Sequence, residues 1–255
     1  MSLSIFDLSN RVAFITGSSR GIGAAIARGL CEAGAEVVLN ARNATELETQ
    51  RHALAKDGHK VHALAFDVTD RAAVVDAVQR IEDDIGPIDI LFNNAGIQRR
   101  GPLEEFPADT WRELMSINVD SVFYVGQAVA KVMIPRQRGK IVNTCSVGSE
   151  IARPTIAPYT TSKGAVKMLT KAMCAEWARH NIQVNGIGPG YFKTELNRAL
   201  FTDPAFDEWV RKRTPAGRWG ELEELIGVCV LLASPASSYI NGQVFYIDGG
   251  LTSVI

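Results

Sequence analysis

Short apolar runs rich in β-branched residues alternate with longer amphipathic stretches over almost the whole chain. RVAFIT (11–16) reads as a buried strand, and GIGAAIARGLCEAG (21–34) as a helix closed by Gly34 at its C-terminal cap. EVVLN (36–40) predicts the second strand, followed by a charged helix from about Ala44 to Asp57. KVHALAF (60–66), a helix from Arg71 to about Ile85, and IDILFNN (88–94) continue the alternation. One long helical region is expected from about Pro107 to Arg136, then the strand KIVNTCS (140–146) and a helix from about Tyr159 to Arg179. IQVNGIG (182–188), a helical pattern from Glu221 to Ala233 and QVFYID (243–248) complete the series.

Strands that alternate with helices argue for one α/β unit, a parallel, doubly wound seven-stranded sheet with helices on both faces. Uninterrupted apolar strands fit burial from both sides. No Pro/Gly/Ser-rich linker divides the chain, so residues 1–255 read as a single domain. The rhythm breaks only at about 190–220, a stretch rich in Arg, Pro and Thr. It follows the sixth strand, where a lid would cover a ligand at the strands' carboxyl ends.

Composition narrows the function classes. With 27 Lys and Arg against 28 Asp and Glu the net charge is −1, lacking the basic excess expected of a nucleic-acid or membrane-surface binder. Cys31, Cys145, Cys174 and Cys229 form no CxxC pair, and the four histidines show no metal-binding spacing, so no metal is expected. MSLSIFDLSNRVAFITG lacks the features of a signal peptide, and no run is long and apolar enough for a membrane helix. A cytoplasmic location is the expectation.

Thr16-Gly17-Ser18-Ser19-Arg20-Gly21-Ile22-Gly23 joins the first strand to the first helix. Glycines at 17, 21 and 23 permit a tight turn and close backbone approach, and the helix N-terminus offers free N–H groups to a pyrophosphate. A plain Gly-rich turn is the competing reading, but its place between strand and helix favours a nucleotide. The second strand ends Asn40-Ala41-Arg42-Asn43, without the acid that would hold a ribose 2′-hydroxyl. Arg42, with Arg20 in the turn, points to a 2′-phosphate and so to NADP rather than NAD.

Tyr159 and Lys163 lie four apart, on one face of a helix. Ser146 ends the preceding strand, Asn118 lies in the long helical region, and Asn93-Asn94-Ala95-Gly96 ends the fourth strand. Together these segments resemble the short-chain dehydrogenase/reductase family, from TGSSRGIG through NNAG, Asn118, Ser146 and YTTSK to PGYFKT (189–194).

That resemblance implies a Rossmann-type fold and a dehydrogenase using NADPH. Tyr159 would be the general acid/base, Ser146 would hydrogen-bond the reacting oxygen, Lys163 would bind the nicotinamide ribose and favour the tyrosinate, and Asn118 would hold a water. Moving a tyrosine from about 10 to about 7 takes roughly 4 kcal/mol of differential stabilisation. Ser19, Ile22, Asn94, Ala95, Gly96, Pro189 and Gly190 would line the cofactor. Asp67 and Val68 would contact adenine, and Thr194 the nicotinamide amide. Asp67 can equally cap the helix that follows it. The resemblance also implies a homotetramer, joined through apolar faces in 122–134 and 165–177.

For the substrate, Arg99 and Arg100 follow the NNAG turn, and Glu150 and Arg153 lie between Ser146 and Tyr159. Lys193, Arg213, Arg218 and Trp219 lie in or near the 190–220 stretch. Arginines here suit a carboxylate held bidentately, with Arg99 or Arg100 as its partner, although an exposed pair at a loop tip is the plainer alternative. QRR (98–100), SEIAR (149–153) and PAGRWG (215–220) are similar to family members acting on sugar acids, which implies a small-molecule sugar acid. Another polyol or keto acid, a 3-oxoacyl thioester, and a non-catalytic cofactor sensor remain the alternatives.

Overall fold

Each strand sends alternate side chains to opposite faces, and both faces here are apolar. In β1 (Val12–Ile15), Ala13 and Ile15 join one core cluster while Val12 and Phe14 join another. A computed structural model describes residues 3–255, the Leu196 side chain excepted; Met1 and Ser2, where the segment read above for a leader begins, lie outside the described residues.

The other strands are β2 (Glu36–Ala41), β3 (Val61–Ala65), β4 (Ile88–Asn93), β5 (Gly139–Thr144), β6 (Ile182–Pro189) and β7 (Val244–Ile247). Among the described residues they form one parallel sheet in the order β3-β2-β1-β4-β5-β6-β7, the doubly wound architecture expected. The order reverses between β1 and β4, so their carboxyl ends border a crevice.

Helices α1 (Gly21–Glu32) and α2 (Ala44–Lys56) cover one face, and α3 (Arg71–Asp84) the other. Asn43 caps α2 and Asp70 caps α3, each accepting two N–H bonds. Asp67 is therefore not the cap of α3: its Oδ1 is taken by Thr69 N (2.9 Å) and Thr69 Oγ1 (2.8 Å).

The helical region expected at 107–136 is interrupted. It comprises α4 (Ala108–Met115), one wide π turn over Ser116–Asp120, and α5 (Ser121–Arg136). The wide turn rotates Asn118 inward, where it is fully buried. Helix α6 (Ala157–Trp177) carries Tyr159 and Lys163, and α9 (Ile226–Ala233) packs on α1. The pattern at 221–233 opens as a 3-10 turn, Leu222–Leu225, before α9 begins.

The 190–220 stretch contains two helices the hydrophobic pattern did not foretell, α7 (Arg198–Phe201) and α8 (Pro204–Arg213). Its ends meet: Phe192 bridges Gly220, and Gly220 N donates to Tyr191 O at 2.9 Å. Trp219, 1% exposed, anchors it at the centre of Tyr191, Phe201 and Phe206, and its indole N–H donates to Asp207 (2.8 Å). No helix among the described residues is long and apolar enough to cross a membrane.

Candidate active site

The Gly-rich turn is held by its neighbour across the sheet. Asn94 Nδ2 donates to Thr16 O (3.1 Å) and Gly17 O (2.9 Å), while Thr16 Oγ1 accepts from the backbone of Asn94 and Ala95. Gly17 adopts φ +63°, and a Cβ there would lie 2.7 Å from Ala95 Cα. A Cβ on Gly23 would lie 2.3 Å from Gly17 O. Gly21 (φ +57°) has nothing within 4 Å of such a Cβ, and Arg20 at the N-cap of α1 offers no side-chain cap. The first N–H groups of α1 therefore remain available to an anion, and the turn fits a pyrophosphate.

Beyond this cradle, Arg42 is 65% exposed and lies 3.8 Å from Asp67 Oδ2. Val68 is buried in the core. Asn94 uses its side chain on the turn. Ser19 belongs to the turn itself, and Gly96 sits beside Asn118 Oδ1 and Lys163 Nζ.

The four predicted catalytic residues converge from three elements, the π turn, the turn after β5 and α6. Ser146 follows β5 and heads the 3-10 turn Val147–Ser149, its Oγ accepting from Gly148 N at 3.0 Å. Ser149 Oγ then donates to Lys163 O (3.0 Å), tying that turn to α6. Lys163 Nζ donates to Thr144 O (2.7 Å) and lies 5.8 Å from the centre of the Tyr159 ring. Asn118 Nδ2 donates to Ile97 O (2.9 Å) and Ser162 Oγ (3.0 Å), while Oδ1 accepts from Ile97 N (2.8 Å). Ser162 Oγ closes the chain onto Tyr159 O at 2.7 Å.

Burial governs the electrostatics. It lowers Lys163 to about 8, and it raises Tyr159 above the ordinary phenol value against the opposing hydrogen bond from Ser146. Burial by itself thus favours the neutral phenol of Tyr159, the form that donates a proton.

Ser146 and Tyr159 open into a cavity of about 450 Å³ bounded by Ile22, Pro189, Gly190, Thr194 and residues of α7 and α8. Arg100, Arg153 and Arg213 line it, and no Asp or Glu does among the described residues. Two of the predicted substrate residues lie elsewhere. Arg99 is exposed and pairs with Glu113 (3.1 Å). Glu150 is tied to Lys167 and accepts from Tyr246 OH at 2.7 Å, which holds it well below the usual carboxylate range. Lys193 pairs with Glu221 at 2.5 Å, and Arg218 makes a two-pronged contact with Glu224 (2.6 and 2.7 Å).

Tyr246 is the site-supporting residue the sequence gave no signal for, since its partner lies 96 residues away. Tyr191 was visible only as part of PGYF, and Arg213 only as one of several cations near the lid.

The family described as Enoyl-(Acyl carrier protein) reductase matches residues 17–252. The chain is 59% identical to the gluconate 5-dehydrogenase of Gluconobacter oxydans, over 97% of each chain. It is 51% identical to the 5-keto-D-gluconate 5-reductase of Escherichia coli K12, again over 97% of each. Among solved structures it is similar to a gluconate 5-dehydrogenase from Burkholderia cenocepacia J2315 in complex with NADP and tartrate. The identity there is 56% and the TM-score 0.98, covering 100% of both chains.

Proposed function

The chain belongs to the short-chain dehydrogenase/reductase family, and on that premise we propose that it is an NADP-dependent oxidoreductase interconverting D-gluconate and 5-keto-D-gluconate. The observation that carries this reading is the cavity in front of Tyr159, lined by arginines and no carboxylate, in a chain 59% identical to a gluconate 5-dehydrogenase.

The nicotinamide, when bound, supplies or accepts the hydride. The remaining steps belong to the protein. Tyr159 gives its proton to the carbonyl oxygen during reduction and takes it back during oxidation. Ser146 hydrogen-bonds the same oxygen. Lys163, beside Gly96 and Thr144 O, serves the nicotinamide ribose, and its ammonium favours the tyrosinate as the proton leaves. Asn118 positions Ile97 and, through Ser162, the start of α6. Its second Oδ1 lone pair remains for the water of a proton relay.

Gly17, Ser19, Arg20, Gly21, Ile22 and Gly23 cradle the pyrophosphate, Arg20 and Arg42 the 2′-phosphate, and Asp67 and Val68 the adenine. Asn94 and Ala95 fix that cradle to β4, while Pro189, Gly190 and Thr194 serve the nicotinamide amide. The 190–220 segment acts as the lid over Arg100, which binds the substrate carboxylate. The enzyme is further proposed to be a cytoplasmic homotetramer. Exposed Phe123 on α5 and Met168 on α6 support the contact, and four free cysteines suit a reducing compartment.

The test is nicotinamide absorbance with 5-keto-D-gluconate and NADPH, with NADH in parallel. Rapid loss with NADPH alone is expected. Equal loss with NADH would remove Arg42 from the cofactor assignment, and no loss despite NADPH binding would overturn the substrate.

A further inference from the structure

The arginines lining the cavity are not equally satisfied. Arg213 Nη2 donates to Val254 O at 3.0 Å, and Arg100 Nη2 reaches Gln98 Oε1 at 3.4 Å. Arg153 is the outlier. Its Nε is sealed from solvent without a hydrogen-bond partner among the described residues, while the rest of the guanidinium meets Pro154 O, at 3.4 Å from Nη1, and the Tyr191 hydroxyl. A buried donor left unpaired is costly, and a guanidinium aimed along a cavity wall without a counter-ion is a site awaiting an anion.

Arg153 also touches the lid. Its guanidinium carbon lies 5.3 Å from the centre of the Phe206 ring, in the first turn of α8. Phe206 packs in turn on Tyr191, Trp209 and Trp219. Arg153 hydrogen-bonds the Tyr191 hydroxyl with Arg100 close by, and burial together with the neighbouring Arg153 charge disfavours the charged form of Arg100. The ring attracts the cation's face but accepts none of its in-plane N–H groups.

We propose that Arg153 is a specificity-determining residue that couples the substrate's carboxylate to the lid: it binds the anion through its edge while its face stacks on Phe206, so that α8 closes over acids in preference to neutral molecules of the same length. This rests on the sugar-acid reading of the same cavity. A carboxylate between Arg100 and Arg153 relieves their repulsion, supplies the missing acceptor, and fixes the plane on which Phe206 packs. Arginine suits this double contact because its planar fork can chelate and stack together; an ammonium cannot.

The test compares Arg153→Met, Arg153→Lys and Phe206→Leu in the full-length enzyme with saturating NADPH. The substrates are 5-keto-D-gluconate and its methyl ester, which differ in charge and by one methyl group. Tryptophan fluorescence of the NADPH complex is followed as D-gluconate is added, with Trp209 and Trp219 beside Phe206 as reporters. For Arg153→Met, kcat/KM should fall about 100-fold on the acid, mainly through KM, and only about threefold on the ester. Arg153→Lys should recover less than half of that loss on a logarithmic scale. The gluconate-induced fluorescence change should vanish in Arg153→Met and shrink in Phe206→Leu.

Equal losses on acid and ester would overturn the coupling and make Arg153 structural, as would a Lys variant and a Phe206 variant both matching the parent. If the parent ignores 5-keto-D-gluconate but reduces other keto acids, the gluconate reading fails alone, because the same acid-to-ester comparison is then made on those acids. A parent equally active on acids and esters overturns the inference itself.

Discussion

Lys163 should cost the fold stability in return for its role at the site, and Lys163→Met makes that cost measurable. Its side chain is 4% exposed, its ammonium has one protein acceptor, Thr144 O at 2.7 Å, and burial holds it near 8 against an ordinary 10.5. At about 1.4 kcal/mol per tenfold, that gap corresponds to roughly 3 kcal/mol of penalty at neutral pH. Losing the Thr144 hydrogen bond offsets about 1 kcal/mol. The Met variant should therefore be inactive yet more stable than its parent by about 2 kcal/mol at pH 7, a rise of about 4–8 °C in Tm. The sign follows from proton counting. Between about pH 8 and 10.5 the unfolded lysine binds more protons than the folded one, so the parent gains stability as pH rises through that window. The advantage of the variant should be full below about pH 8 and absent above 10.5. Lys140, also held near 8 by burial, is present in both proteins and drops out of the difference. Thermal unfolding of the cofactor-free proteins at several pH values is the assay. A variant melting at or below its parent at pH 7, or an advantage that does not change with pH, would refute the reasoning.

Four further outcomes can be checked. Gly23→Ala should weaken NADPH binding about 30-fold by titration, because its Cβ would fall 2.3 Å from Gly17 O and 2.5 Å from Asn94 Nδ2; Gly164→Ala in α6, with nothing within 4 Å, should instead stabilise the fold by about 0.5–1 kcal/mol. Tyr246→Phe should lower kcat several-fold, up to about tenfold, with little change in KM, since it releases Glu150 and with it the far end of the turn headed by Ser146. Arg218→Ala should leave KM for the acid unchanged, since Arg218 lies outside the large cavity, but should raise the midpoint of acid unfolding. Its two-pronged bond holds Glu224 near 2, so the stabilisation it gives is present above about 4.5 and is lost as pH falls toward 2.

The sheet was legible because its strands are buried on both faces, so their apolar runs carry one meaning. The Gly-rich turn, Ser146, Tyr159 and Lys163 were legible for a similar reason: each occupies a fixed distance from a strand end. The π turn at 116–120 was not, because SINVD continues an unbroken helical pattern and only packing of Asn118 against Ile97 and Ser162 selects the wider turn. Arg99 and Arg100 are indistinguishable in the sequence. Which of two adjacent cations faces the cavity depends on Glu113, in α4, capturing the first. Glu150 is held off the cavity for a like reason, its partners lying on α6 and β7. In the 190–220 stretch the aromatic residues that hold α8 follow no helical period, since they pack on one another rather than on the sheet.

The cavity arginines stand on three loops or helix ends, after β4, before α6 and at the end of α8, and none belongs to the hydrogen-bonded ladder of the sheet. The chemistry, by contrast, is anchored in a strand end, a buried turn and a long helix. Substrate choice and chemical competence are therefore separable traits in this molecule. On the proposed reading, changes at a few guanidinium positions would alter the preference among acids and neutral polyols while leaving proton transfer and foldedness intact. Retargeting the enzyme in the laboratory would then call for changes at positions 100, 153 and 213 before any in the core.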